Sequence, residues 1–557
     1  MIRIQEFFND WKYIFRLYIN LTCFHFSNFL YSFGRQSLCH CSISAKLSQN
    51  LDNVTQSTKY CLFLRQKRVL IYSILIFITI FLFTRYSRMM RIDGLNQWSL
   101  PIAFTLKALI GLYFLFIYTK FYGDGTLSAD AGAFMDESRI LKNVFSESPI
   151  DYLKFLTGIG DNTDLQHQYL LETHHWDAGA QALINDNKNI LRVHSLLHFV
   201  SSGYPVIHVL FMCLISIVGT RHLIIGIASK TDLNRSLILW ALILIPSVLF
   251  WTSGILKEPL MFLGIGFLAR GLLANTRRFN RSLWILLGVI VLLSFKPYVI
   301  ITLIPAFTFI SFYKMFPKLK ILGSLLLLFI ITSTALFIFS KEREQIVHLI
   351  TRKQQDFKNI GKGGVFAWNG DGFYYFEPSQ FPHLSIENDK VRLKKPLKAV
   401  IIDHGGFESP IPILVPEDGT EWPVYFKRDQ SRGYIEIEQI DDSFSQLIIN
   451  IPGAIRNCLL RPYITDPGSW LKYPAIFEVW LILLFIVYAI FKRREISVEI
   501  KLIIVALLLF IFSLSAIIGL TTPVLGAIVR YRLPIMIAIV IIGLLIINPH
   551  FKRKLKA

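Results

Sequence analysis

Eleven apolar runs punctuate this chain, near residues 69–84, 99–119, 202–219, 236–252, 258–275, 282–296, 298–314, 320–340, 474–491, 501–521 and 533–548. Several reach the roughly 17 to 25 residues that a helix needs to cross a bilayer, where every backbone polar group has to be satisfied within the helix itself. The expected fold class is therefore an all-α polytopic membrane protein with about ten to eleven transmembrane helices. Composition agrees: 53% of the 557 residues are hydrophobic and the mean hydropathy is +0.49. The net charge of +20 would by itself suit nucleic acid, but the basic residues lie in short clusters between apolar runs and form no soluble basic face. A lipid bilayer is the expected partner, and nucleic acid is not. Six cysteines, Cys23, Cys39, Cys41, Cys61, Cys213 and Cys458, are spaced too irregularly for a disulfide framework. Cys39-His40-Cys41 lacks the second cluster that a metal site needs.

The basic clusters carry the topology. Arg221, Lys230 and Arg235; Arg277, Arg278 and Arg281; Lys314, Lys318 and Lys320; Lys492, Arg493, Arg494 and Lys501; and Lys552, Arg553, Lys554 and Lys556 occupy alternate connections, which makes those connections cytoplasmic. Segments 120–197 and 341–473 then lie outside, with short outward turns near 296 and 522–532. Arg85, Arg88 and Arg91 belong inside, which leaves Arg65, Lys67 and Arg68 on the wrong flank of 69–84. No cleavable signal peptide resolves this, because Glu6, Asp10, Lys12 and Arg16 interrupt the first 30 residues. Either a poor extra span lies within 11–33, or 1–88 is an extension outside the working protein, which would then start at Met89 or Met90.

The expected organisation is an extension (1–88), a transmembrane core (89–340) with an outer loop at 120–197, an outer β-containing domain (341–473), and C-terminal helices with a basic tail (474–557). In the first loop Phe134, Ile140, Leu141 and Phe145 recur at helical spacing. Ser146 to Pro149 breaks the pattern and Tyr152 to Leu156 resumes it, as suits amphipathic helices on a membrane surface. In the second loop 391–393, 399–402, 411–415, 424–426 and 434–438 read as short strands between Gly, Pro and Asp.

Charged residues at the outward boundary are the informative ones, because the positive-inside rule gives no reason for them. They are Lys257 and Glu258, then Lys296, then Arg530 and Arg532 on either side of Tyr531. Snorkelling, or a structural ion pair such as Lys257 with Glu258, is the competing explanation. Three cationic turns on one face suit the phosphate or pyrophosphate of a lipid whose tail stays in the bilayer. A carboxylate facing them, Asp130 or Asp124 in the first loop, would take the proton of an incoming hydroxyl. That is the chemistry of glycosyl transfer from a lipid-phosphate sugar.

The segment Asp130, Ala131, Phe134, Ser138, Leu141 after the helix at 99–119, together with Arg530-Tyr531-Arg532-x-Pro534 before the last apolar run, resembles the polytopic GT-C glycosyltransferases. Pro246 to Glu258 and Arg461-Pro462 resemble stretches of bacterial envelope-polysaccharide membrane proteins. The resemblance rests on short motifs scattered over 99–548. It implies a polyprenyl-phosphate-linked sugar donor; a glycan, lipid or protein acceptor; an active site on the outer face of the cytoplasmic membrane; and inversion at the anomeric carbon. It makes Asp130 the catalytic base, with Asp124 as the alternative, and leaves Lys257, Glu258, Lys296, Arg530, Tyr531 and Arg532 to bind substrate. Family members often carry adjacent acids at the key position, whereas here Asp124, Asp130, Asp136 and Glu137 are spread out. No cofactor is certain. A divalent metal stays open, but His174, His175, Asp177 and His194 match no zinc spacing. Two alternatives remain: a polymerase or ligase using a pyrophosphate-linked oligosaccharide, which donor length would separate, and a lipid or glycan transporter, for which the inverted repeats are lacking.

Overall fold

A computed structural model describes residues 51–547 apart from 174, 177–184, 276, 371 and 404–410, with side chains from residue 69 onward except at 402, 403, 411, 412 and 426. Cys39, His40, Cys41 and the candidate span at 11–33 lie outside the described residues, as do His174 and Asp177. The chain is a mostly helical, multi-pass membrane protein. Among the described residues, eight helices are long and apolar enough to span a bilayer: 69–86 at the end of α1 (Leu51–Tyr86), 99–121 beginning with α2 (Ser99–Phe116), and six more. A ninth counts if a pair bent by 48° is one span. The expected ten to eleven is thus corrected to eight or nine.

The difference has a local cause. The run 236–252 is not one helix but α8 (Arg235–Ile243) and α9 (Pro246–Trp251), because Pro246 cannot donate into a continuing ladder and starts a new helix at its first turn. The run 258–275 is α10 (Glu258–Leu273), whose 16 residues cover only about 24 Å.

The first large connection folds as expected into helices, α3 (Ala129–Glu147), α4 (Pro149–Thr157), α5 (Thr163–Tyr169) and α6 (Asp186–Ser201). Phe134, Leu141, Tyr152, Phe155, Ile190 and Leu191 form its core, which continues onto Leu260 of α10 and Phe295 at the end of α11 (Arg278–Phe295). This helical cap is therefore seated directly on the membrane core. Helix α7 (Pro205–Ala228) follows it, and α12 (Pro297–Met315), α13 (Lys320–Ile338) and α14 (Ser340–Lys362) follow α11.

The second large connection holds seven antiparallel strands: β1 (Gly364–Trp368), β2 (Gly372–Phe376), β3 (Leu384–Glu387), β4 (Lys390–Leu393), β5 (Leu397–Asp403), β6 (Ile411–Val415) and β7 (Glu421–Arg428), in the order β3-β4-β7-β1-β2-β5-β6. Four of the expected strands are present. The fifth, 434–438, is corrected to an extended strap with one bridge, Tyr434 to Val524, and a bond from Ile435 N to Pro523 O at 2.7 Å. Helices α15 (Phe444–Leu460), α16 (Tyr473–Phe491), α17 (Val498–Thr521), α18 (Leu525–Tyr531) and α19 (Leu533–Ile546) complete the chain.

Bonds between distant segments define the two ends of the bundle. At one, Arg221 Nη2 donates to Arg91 O (3.3 Å), Ser229 Oγ to Leu273 O (2.8 Å), and Lys230 pairs with Glu499 (2.7 Å). At the other, Asn189 Nδ2 donates to Ser294 O (3.0 Å) and Gln354 Nε2 to Leu520 O (2.7 Å), joining the cap and α14, just before the sheet, to the helix ends.

Candidate functional site

Five chain breaks deliver charged side chains to that second end. Asp130 lies in the first turn of α3 and Asp186 in the first turn of α6, where Asn185 caps the helix. Both acids favour the positive pole of their helices. Glu258 opens α10 beside Pro259, with Lys257 just before it. Lys296 stands alone between α11 and α12, because Pro297 ends one helix and starts the next. Arg530 sits in the last turn of α18 before the bend into α19.

These residues make a contiguous charge network. Arg530 Nε donates to Glu258 Oε1 (2.7 Å) and Arg530 Nη1 to Asp130 Oδ2 (2.6 Å), so one guanidinium bridges two carboxylates from separate elements. Lys296 Nζ is 3.3 Å from the same Glu258 oxygen. Lys257 turns to the cap instead, donating to Asp186 Oδ2 and Asn187 Oδ1, each at 2.6 Å. Tyr531 is beside the network: Lys296 lies over its ring at 5.0 Å, with Tyr298 and Phe357 as ring neighbours. Trp251 lies under Arg530 at 6.0 Å.

Exposure divides the two carboxylates. The Glu258 side chain is 1% exposed and its Oε2 is buried without a partner, whereas the Asp130 side chain is 48% exposed. Burial pushes the Asp130 pKa up, but the Arg530 guanidinium, helped by His175 and Lys296, more than offsets this and holds it below the usual carboxylate value. Asp130 is consequently ionised at neutral pH. Arg530 keeps Nη2 free of hydrogen bonds to any described residue.

The remaining sequence candidates lie elsewhere. Asp124 is exposed on the loop and makes no hydrogen bond or ion pair with a described residue. Arg532 points away from the network into the bundle, where it is fully buried against Glu478 at 3.6 Å and donates to the carbonyls of Cys458 and Arg461. His175 Nδ1 meets Glu137 Oε1 at 2.8 Å, and His194 Nδ1 meets His208 Nδ1 at 2.9 Å. Among the described residues no group of three His, Cys, Asp or Glu could hold a metal ion.

Three groups escaped the reading of the sequence. Asp186 is one. Another is Glu478, which accepts from Ser247 N at 2.5 Å as well as facing Arg532. The last is Lys107, fully buried in α2, which donates to Thr252 Oγ1 (2.5 Å) and lies 3.4 Å from Ser253 Oγ in the turn after α9. Lys107 and Glu478 are ionisable residues inside apolar runs, which is a signal the sequence did carry. No protein-family model, curated protein or solved structure matches this chain.

Proposed function

We propose that the chain is a membrane glycosyltransferase that moves a sugar from a polyprenyl-phosphate donor to an envelope glycan, lipid or protein acceptor at the outer face of the cytoplasmic membrane. The observation that carries this reading is Arg530 held between a buried Glu258 and a half-exposed Asp130, with Lys296 on the same Glu258 oxygen. Glu258 acts as the internal counter-ion that keeps Arg530 and Lys296 together before substrate arrives. A donor phosphate draws on the unused Nη2 of Arg530 and on Lys296, and a planar guanidinium suits phosphate oxygens in a two-point contact. As Arg530 turns to the phosphate, Asp130 loses its partner, its pKa rises toward normal and it becomes a better base for the acceptor hydroxyl. The attacking oxygen bonds to the anomeric carbon, the bond to the phosphate oxygen breaks, and the cations stabilise the departing lipid phosphate.

The test is sugar transfer from a polyprenyl-phosphate donor in membrane vesicles carrying Asp130→Asn at matched expression. A general base contributes about 10²- to 10⁴-fold, so the rate should fall by at least a hundredfold. Unchanged transfer removes the mechanism. Transfer only from pyrophosphate-linked oligosaccharide would instead make the protein a polymerase or ligase.

A further inference from the structure

A cavity of about 430 Å³ opens at the same end of the bundle, between the 434–438 strap, helix α15 and the last turn of α17. Its walls are polar in a particular way. Glu436 and Glu438 come from the strap, Asn450, Arg456 and Asn457 from α15, and Arg461 from just beyond it. The side chains of Glu438, Asn450 and Arg456 make no hydrogen bond or ion pair with a described residue. Asn457 Oδ1 and Arg461 Nε are buried and equally without a partner. Buried acceptors and donors left open in a folded protein call for a ligand or water, and this volume lies within the range of small-molecule sites.

From this we infer that the cavity binds a neutral saccharide. Two carboxylates and two guanidiniums line it, but Arg461 Nη1 is already paired with Asp466 at 3.0 Å, so no unpaired cluster of cations is left to select an anion, and among the described residues no three acids converge to hold a metal ion. Acceptors and donors alternate around the space, which suits hydroxyl groups, since each both donates and accepts. The backbone makes room at Gly453, where a Cβ would meet nothing within 4 Å. The cavity borders the buried Arg532–Glu478 pair, because the Arg461 carbonyl accepts from Arg532. As the acceptor side of the enzyme this assignment rests on the transferase reading; as a saccharide site it stands by itself.

The experiment is saturation-transfer NMR on the full-length protein in nanodiscs, with a panel of neutral hexoses, N-acetylhexosamines and their disaccharides. At least one should bind the wild type. Its affinity should fall tenfold or more in Asn457→Leu and in the solvent-facing double variant Glu438→Gln with Arg456→Ala, which does not disturb a packed helix face. Binding should survive in Asp130→Asn even where transfer is lost, which separates the two proposals. No binding of any panel member to the wild type, unchanged binding in both cavity variants, or loss of binding in Asp130→Asn would each overturn the assignment.

Discussion

Arg532 and Glu478 face each other with no exposure to solvent, where α19 begins against α16. Removing one partner leaves the other charge uncompensated in the bundle, at a cost of about 3–5 kcal/mol, whereas replacing both with apolar residues of similar volume is often neutral. Arg532→Met should therefore lower thermal stability sharply, and Arg532→Met with Glu478→Met should recover most of the loss, as read by thermal unfolding in detergent. A double variant no better than the single one would show that the pair contributes net stability. Nothing local in Arg530-Tyr531-Arg532 announces that its two arginines part company. The break between α18 and α19 turns them to different sides, and only the positions of Asp130, Glu258 and Glu478 in the folded chain reveal it. The charges themselves were legible, because the positive-inside rule leaves Lys257, Lys296 and Arg530 without a topological reason.

Helices α7 and α10 pack with their backbones in contact. A Cβ on Gly266 would lie 2.4 Å from Gly219 O, and one on Gly219 would lie 2.9 Å from Phe262 O. Close approach through small residues is how helices associate when lipid offers no hydrophobic incentive. Gly266→Val should force the pair apart and reduce the yield of folded protein, measured as the monodisperse fraction after detergent extraction, while Gly453→Ala, which meets nothing within 4 Å, should not. Helices are legible in the sequence because a long apolar run in a membrane has few alternatives. Strands were read less well. β5 and β6 carry clear β-branched runs, but β1 and β2 are short and rich in glycine and aromatics, and β3 has four residues with a single β-branched one. The strap 434–438 alternates like a strand because Ile435 and Ile437 are buried on one side, and alternation alone does not distinguish a paired strand from an extended segment laid across helices.

For the molecule as a whole, the basic connections gather at one end and the Arg530 network lies at the other. If the network faces outward, a cysteine at exposed Asp136, in a background whose native cysteines are replaced by serine, should react with a membrane-impermeant maleimide added to intact cells. One at exposed Lys501 should react only after permeabilisation. The reverse pattern would turn the proposed active site to the cytoplasm. The short α10 gives this arrangement a depth. It runs parallel to α7 and the two end together, Ser229 Oγ bonding Leu273 O, yet α7 has 24 residues and α10 has 16. At 1.5 Å per residue Glu258 starts about 12 Å below the beginning of α7. On the proposed reading, a phosphate carried on a lipid would approach Arg530 from the side, within the bilayer, whereas a water-borne anion would first have to pass the cap.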